Sequence, residues 1–217
     1  MSSLQALTAA IEVGDRAASA RLTREAIDEG RPAQAILDAM TAAMAEVGVR
    51  FQREELYVPE MLVAARAMRE ATAVLEPLLV GAGIRPVATA IVGTVKGDLH
   101  DIGKNLVGMM WKGAHVEVVD LGTNVSPEAF AAAAHEHKAH LVGVSALLTT
   151  TMPGMRDVVA AIRNAGLSGT RVVVGGAPVT RAFARDIGAD GYAPDAAAAV
   201  DVAKQVLAGD AIAAPAG

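Results

Sequence analysis

A histidine two residues after an aspartate is the part of this chain best suited to chemistry. The pair lies in Gly97-Asp98-Leu99-His100-Asp101-Ile102-Gly103-Lys104-Asn105, which follows a strand-like run, 87–94, and opens an amphipathic segment, 106–112. On a loop leaving a buried strand, the carboxylate can hold one imidazole nitrogen while the other faces outward. That is the arrangement of a metal-ligating histidine. The glycines and lysine invite comparison with a phosphate-binding loop, which needs four residues between its glycines and Ser or Thr after the Lys. Here five residues separate Gly97 from Gly103, and Asn105 follows Lys104. Spacing and chemistry both exclude a nucleotide loop.

The same residues resemble the Asp-x-His-x-x-Gly motif of cobalamin-binding corrinoid proteins of methyltransferase systems, a methyl-carrier family related to the B12-binding module of methionine synthase. The match runs without a break over residues 97–105. The resemblance implies cobalamin with its own dimethylbenzimidazole base detached from cobalt and threaded into a slot in the sheet domain. His100 is then the axial metal ligand, Asp98 bonds its far nitrogen, and the hydroxyl of Thr151 completes a relay. Family members often have serine there; threonine keeps the donor and adds a methyl group. Gly97, Leu99, Asp101, Ile102 and Gly103 are the remaining cofactor-binding positions that the motif implies.

Further matches extend the resemblance. Residues 144–149, Val-Ser-Ala-Leu-Leu-Thr, are similar to a segment in which Ser145, Leu147 and Thr149 would contact the nucleotide tail and the corrin. Gly175 and Gly176 form a glycine pair at a strand end, where backbones without side chains let a planar base approach. Tyr192 and Ala196 lie where the family closes its pocket over the corrin rim. In the helical half, residues 47–51 and 55–60 resemble a cap in which Phe51 and Val58 shield the cobalt-bound methyl group. A leucine is often found at the second position, and Val58 is smaller.

The function implied is a corrinoid methyl carrier, a non-catalytic subunit inactive alone. It would accept a methyl group on cob(I)alamin from a substrate through one methyltransferase. It would deliver that group from methylcobalamin to an acceptor, such as tetrahydrofolate or a thiol, through a second. A reductive activase is a further implied partner. The donor, whether methanol, a methylamine, a betaine or a methoxylated aromatic, is chosen by the partner and is not written in this chain. The alternatives are a mutase small subunit, which usually lacks a helical cap and the Asp-Ile-Gly-Lys-Asn continuation, and a B12-dependent light-sensing regulator, which would need a DNA-binding module. A flavodoxin-like electron carrier would share the topology alone.

These residues need elements to position them. From Leu4 to about Val80, apolar residues recur at helical spacing, with breaks at Gly14-Asp15, Gly30-Arg31-Pro32 and Val58-Pro59. The spacing predicts helices over 3–13, 15–29, 32–50 and 59–80, with Pro32 and Pro59 in first turns, where a missing N–H costs nothing. After residues 81–86, a Gly-rich, Pro-bounded link that could act as a hinge, short β-branched runs alternate with amphipathic segments. Strands are predicted at 87–94, 115–120, 140–145, 171–175 and 189–192, and helices near 103–113, 126–138, 153–165, 179–186 and 195–208. The expected architecture is α/β: a four-helix bundle cap (1–82), then a doubly wound, flavodoxin- or Rossmann-like parallel five-stranded sheet domain (86–212). Ligands of such sheets sit beyond the carboxyl ends of the strands, where His100, Ser145 and Gly175-Gly176 fall.

Plainer roles exist for several of these residues. Asp101 would serve as a helix cap, residues 149–151 as a β-rich strand end, and Phe51 and Val58 as bundle core. His135, His137 and His140 lack a converging acidic or thiol partner and are not taken as a zinc site. The 217 residues are 53% hydrophobic and 20% charged, the composition of a folded chain. A formal net charge of -5 without a basic cluster disfavours nucleic acid. Zero cysteines suit a reducing cytoplasm. Residues 1–15 do not read as a secretory signal, and no apolar run reaches the roughly 18 residues of a membrane span.

Overall fold

A computed structural model describes residues 2–209. The chain forms two compact units, one running to Pro86 together with Gly113–His115, the other taking Val87–Lys112 and the chain from Val116 onward. The expected end of the sheet domain at 212 lies outside the described residues.

The first unit is helical: α1 (Ser3–Glu12), α2 (Arg16–Asp28), α3 (Ala33–Gln52) and α4 (Val58–Gly81). Local chemistry sets the starts. The Ser2 hydroxyl accepts from the Gln5 N–H while the Gln5 side chain accepts from the Ser2 N–H, a reciprocal capping box. Asp15 caps α2 by accepting from the Ala18 N–H. Pro59 falls in the first turn of α4 as expected. Pro32 does not enter α3 but precedes it, with an extended ψ of 138°. The boundaries also differ at the α3–α4 turn, where α3 continues through Phe51 and α4 begins at Val58. The two residues therefore belong to different helices joined by residues 53–57, not to one helical face. Gly83 (φ +72) closes α4, with the Ile84 N–H reaching back to the Leu79 carbonyl.

Inside this unit Leu7, Ile11, Ile36, Met40, Met44, Met61 and Leu75 are fully buried, interleaved with alanines such as Ala26, Ala43, Ala64 and Ala71 that let helices approach closely. Two hydroxyls enter the apolar interior from α2: that of Thr23 donates to the Ser19 carbonyl, whereas that of Ser19 is buried without a hydrogen-bond partner. An unpaired buried hydroxyl costs stability, and alanine is the better helix former. Ser19→Ala is therefore expected to stabilise the protein by about 1 kcal/mol, read as a raised urea midpoint. A lowered midpoint would mean that the hydroxyl has a partner.

The second unit alternates β1 (Ala88–Thr94), α5 (Ile102–Gly113), β2 (Val116–Asp120), α6 (Pro127–Glu136), β3 (Leu141–Ser145), α7 (Pro153–Asn164), β4 (Arg171–Gly175), α8 (Arg181–Asp186), β5 (Gly191–Ala193) and α9 (Ala196–Ala208). All strands pair in parallel, in the order β2-β1-β3-β4-β5. The predicted doubly wound sheet is present, each element within a few residues of its expected bounds.

Two cores sandwich the sheet, and strand alternation assigns residues to them. Ile91, Val142, Val144, Val172 and Val174 face Phe130 and the residues of α7, including Met155 and Ile162. Ala90, Val92, Leu141 and Val173 face Trp111 of α5 and Ala199, Ala203 and Val206 of α9. Two strand glycines make room for the aromatics. A Cβ on Gly93 would lie 2.6 Å from the Phe130 ring, and one on Gly143 would lie 2.8 Å from the Trp111 ring. The buried Trp111 Nε1 donates to the Ala199 carbonyl at 2.9 Å, tying α5 to α9.

Candidate functional site

In a sheet of this order the direction of winding reverses between β1 and β3, and the crevice there is where such folds hold ligands. The Asp98–His100 loop leaves β1, and the loop of residues 146–152 leaves β3. Asp98 joins them. Its carboxylate is fully buried, with no direct access to water. Oδ1 accepts from the His100 backbone N–H at 3.0 Å and lies 2.7 Å from His100 Nδ1. Oδ2 accepts from the Leu147 N–H at 2.8 Å, the Leu148 N–H at 3.3 Å and the Thr151 hydroxyl at 2.8 Å.

Burial alone would raise the Asp98 pKa. The Leu147 and His100 amides, the His100 ring and the Thr151 hydroxyl outweigh it and hold the carboxyl well below the usual carboxylate range. An ionised carboxylate can only accept, so His100 donates through Nδ1. In a neutral ring the lone pair is then on Nε2, and the His100 side chain is half exposed. The outcome is a fixed tautomer with an available nitrogen, the state a metal-binding imidazole needs.

Because the native pKa of Asp98 lies below its unfolded value, ionised Asp98 stabilises the fold above that unfolded value, about 3.9. The contribution is lost only as pH falls below this range toward the depressed native value. The stability gap between wild type and Asp98→Asn should accordingly shrink as pH falls below about 4. Urea titrations of both proteins across that range check this, and a gap independent of pH would contradict it.

The segments that carry His100 and the Asp98 partners expose several aliphatic side chains. Leu99 and Ile102 are each 73% exposed, and Leu147 and Leu148 are 43% and 41% exposed. Leu99, Leu147 and Leu148 lie on the two loops that share Asp98 and Ile102 opens α5, and together these exposed side chains offer an apolar rim. Gly103 adds room, since a Cβ there would meet nothing within 4 Å and its φ is not left-handed. Neither packing nor backbone explains that glycine. Among the described residues no three His, Cys, Asp or Glu side chains converge as a metal cage. A lone imidazole suits a metal that brings its equatorial ligands with it, as a corrin does, and the apolar rim suits the macrocycle. The residues present therefore fit cobalamin.

The other expected positions fall as follows. Ser145 ends β3 and is half-buried, Thr149 is exposed on the loop after it, and Tyr192 is half-buried in β5. Ala196 opens α9 and is buried, so its methyl packs inward. Packing by itself already requires glycine at both positions of the pair. A Cβ on Gly175 would lie 2.7 Å from the Ala193 carbonyl oxygen, and one on Gly176 (φ +134) only 1.9 Å from that of Ala146. The protein's own backbone fills the space next to both. Asp101 precedes α5, and its carbonyl accepts from the Asn105 N–H. Its carboxylate accepts from the Asn105 side-chain amide at 3.0 Å and caps no backbone N–H. Phe51 and Val58 are half-buried in the helical unit. The His140 Nδ1 accepts from the Thr89 N–H at 3.1 Å, a structural role.

Three supports of the site were not singled out from sequence. Buried Thr94 donates its hydroxyl to the His100 carbonyl at 2.9 Å. Buried Lys104 donates to the Asp120 carboxylate at 2.5 and 2.6 Å and to the Asn105 amide oxygen at 2.6 Å, anchoring the start of α5 to the end of β2. Its position was a readable signal, because Lys104, Gly108 and Trp111 share the buried stripe of α5. Asn124 accepts from the Gly97 N–H at 2.8 Å.

Comparison with known proteins agrees with this geometry. The family model for the B12 binding domain matches residues 88–201, and a second B12 binding domain model matches residues 3–76. The chain is similar to dimethylamine corrinoid protein 1 of Methanosarcina acetivorans, 40% identical over 94% of this chain and 97% of the relative. It is also similar to a corrinoid protein of Desulfitobacterium hafniense, 36% identical over 95% and 98%. Among solved structures, a cobalamin-binding protein from Desulfitobacterium hafniense superposes with a TM-score of 0.79 at 29% identity, covering 93% of this chain and 97% of the other. The methanol:cobalamin methyltransferase complex MtaBC from Methanosarcina barkeri gives 0.83 at 27% identity, covering 96% and 81%. In class, then, this is a Rossmann-like cobalamin-binding fold preceded by a helical region. The chain belongs to the B12-binding family of corrinoid proteins, and its cofactor is cobalamin. No helix among the described residues is long and apolar enough to cross a membrane.

Proposed function

We propose that the protein carries methyl groups between two methyltransferases. Bound cobalamin would supply a cobalt centre that is alkylated and dealkylated. The chain would supply ligation, orientation and shielding. His100 Nε2 would hold the metal from below. Asp98 would keep Nδ1 protonated and the ring aligned, and Thr151 would keep the Asp98 carboxylate in place. A His100 not engaged by metal would hold a proton at Nε2, with the Asp98 carboxylate 2.7 Å from Nδ1 as counter-charge. The single observation that carries this reading is the available imidazole nitrogen, backed by a buried carboxylate on segments that expose aliphatic side chains.

Phe51 and Val58 are proposed to shield the methyl group, with Tyr192, Ser145 and Thr149 contacting the cofactor. One partner would be specific for the methyl donor and the other for an acceptor such as tetrahydrofolate or a thiol. A reductive activase would restore the cob(I)alamin form, a strongly reduced state suited to the cytoplasm. The dimethylamine relatives make methylamines the first donors to try. The test incubates the reduced, cobalamin-loaded protein with methyltransferases supplied with methylamines or methanol and follows the absorption spectrum of the protein-bound cofactor. Methylation in at least one pairing is expected. Stoichiometric loading with no methylation from any donor, while an authentic carrier is methylated, would defeat the carrier reading.

A further inference from the structure

The connection from β2 to α6 carries a residue in an unusual backbone state. Asn124 has φ +56, in the left-handed region that few residues other than glycine occupy and that asparagine tolerates best. Two hydrogen bonds show what this conformation accomplishes. The Asn124 side-chain oxygen accepts from the Gly97 N–H at 2.8 Å, and its backbone N–H donates to the Asp98 carbonyl at 3.0 Å. One residue thus grips the histidine loop at two peptide units, the one before Gly97 and the one after Asp98. Its own place is fixed on either side. The Thr94 N–H donates to the Gly122 carbonyl, the Val125 N–H donates to the Thr94 carbonyl, and Val95 bridges Val125 in parallel.

Asp98 is consequently held twice. Its backbone is gripped by Asn124, while its carboxylate grips His100, Leu147 and Thr151. We propose that Asn124 is a positioning residue for the axial ligand: by clamping Gly97 and Asp98 it sets where the Asp98 carboxylate stands, and through it the direction of His100 Nε2. The inference rests on the reading of His100 as the cobalt ligand. Gly97 and Asn124 are both exposed, so water can replace the side-chain bond when it is deleted. Losing it should cost little folding stability yet release the loop, and a loop with more freedom holds an imidazole less well.

Two variants separate the possibilities. Asn124→Gly keeps the left-handed backbone and removes the acceptor, whereas Asn124→Asp keeps both the acceptor and the tolerance for positive φ. In the cofactor-free full chain, amide exchange at Gly97 should quicken in Asn124→Gly and stay near wild type in Asn124→Asp. In the cobalamin-loaded protein, electron paramagnetic resonance of the cobalt(II) form should show the histidine-bound population of Asn124→Gly falling roughly 10-fold relative to the unbound, the lower end for outer partners of a metal-bound histidine. Asn124→Asp should restore it, and the melting temperature of Asn124→Gly should move by only a few °C. Unchanged histidine coupling in Asn124→Gly, or an equal loss in Asn124→Asp, would overturn the clamp. Absence of imidazole coupling in the wild type would instead defeat the ligand reading itself.

Discussion

Asp98→Asn protein is expected to fold and to load cobalamin with its axial imidazole bond weakened about 10- to 100-fold. The reason is a count of donors. The Asp98 carboxylate receives hydrogen bonds from two groups at Oδ1 and three at Oδ2 and gives none. An asparagine must turn its NH2 toward one of those sets, setting donor against donor. If it faces His100, the ring loses the acceptor that fixes its tautomer. If it faces Leu147 and Thr151, the β3 loop loses its tie to the β1 loop. Either way buried donors are left unpaired, which should lower stability by roughly 2–3 kcal/mol. Thr151→Ser keeps the hydroxyl and should behave nearly as wild type. The cobalt(II) spectrum reads the axial bond and urea unfolding reads the stability. Wild-type spectra and midpoint in Asp98→Asn would show that the carboxylate contributes nothing to either.

Gly176→Ala is expected to be among the most damaging single-methyl changes in the chain. A Cβ there would lie 1.9 Å from the Ala146 carbonyl oxygen and 2.9 Å from its carbon, both backbone atoms at the end of β3, and φ is +134. Only a shift of the backbone relieves such a contact, and the conformation is one that L side chains rarely adopt. A loss of about 3–5 kcal/mol is expected, the range reserved for identifiable structural faults. The damage should reach the site, because Ala146 immediately precedes Leu147, whose amide holds Asp98. Gly103→Ala is the informative contrast. There an added methyl meets no protein atom, and alanine is preferred to glycine in a helix by about 1 kcal/mol. The cofactor-free Gly103→Ala protein should be at least as stable as wild type while binding cobalamin less tightly. Equal stability of Gly176→Ala and wild type would show that the close approach to Ala146 is not a fixed feature of the fold.

Most of the architecture was legible because it follows from periodicity. Helical spacing up to residue 80 and alternating strand and helix rhythms after residue 86 specify elements with opposite burial requirements, and a helix in each crossover returns the chain to start the next strand in parallel. The boundaries slipped where local signals compete. Pro32 fixes φ but not ψ, so it could precede a helix as well as begin one. Phe51 and Val58 were placed just beyond their helices because Arg53–Tyr57, which alone forms the break, is polar on both sides of Leu56.

Of the site, the sequence by itself determined the chemistry: the aspartate two residues before the histidine, on a loop after a strand, let a carboxylate hold one imidazole nitrogen and leave the other outward, and the structure makes the held one Nδ1. Tertiary structure decided what a linear pattern cannot encode, because it depends on residues brought together from far along the chain. It joined the β3 loop to the β1 loop through the buried Asp98 carboxylate. It showed which atoms demand the glycine pair, the carbonyl oxygens of Ala193 and Ala146, which no linear pattern names. It brought Thr94, Lys104 and Asn124 under the histidine loop. Asn124 is the clearest case, since its function lies in a left-handed backbone and two bonds to residues about 27 positions earlier. Such contacts exist only once parallel pairing has set β2 beside β1.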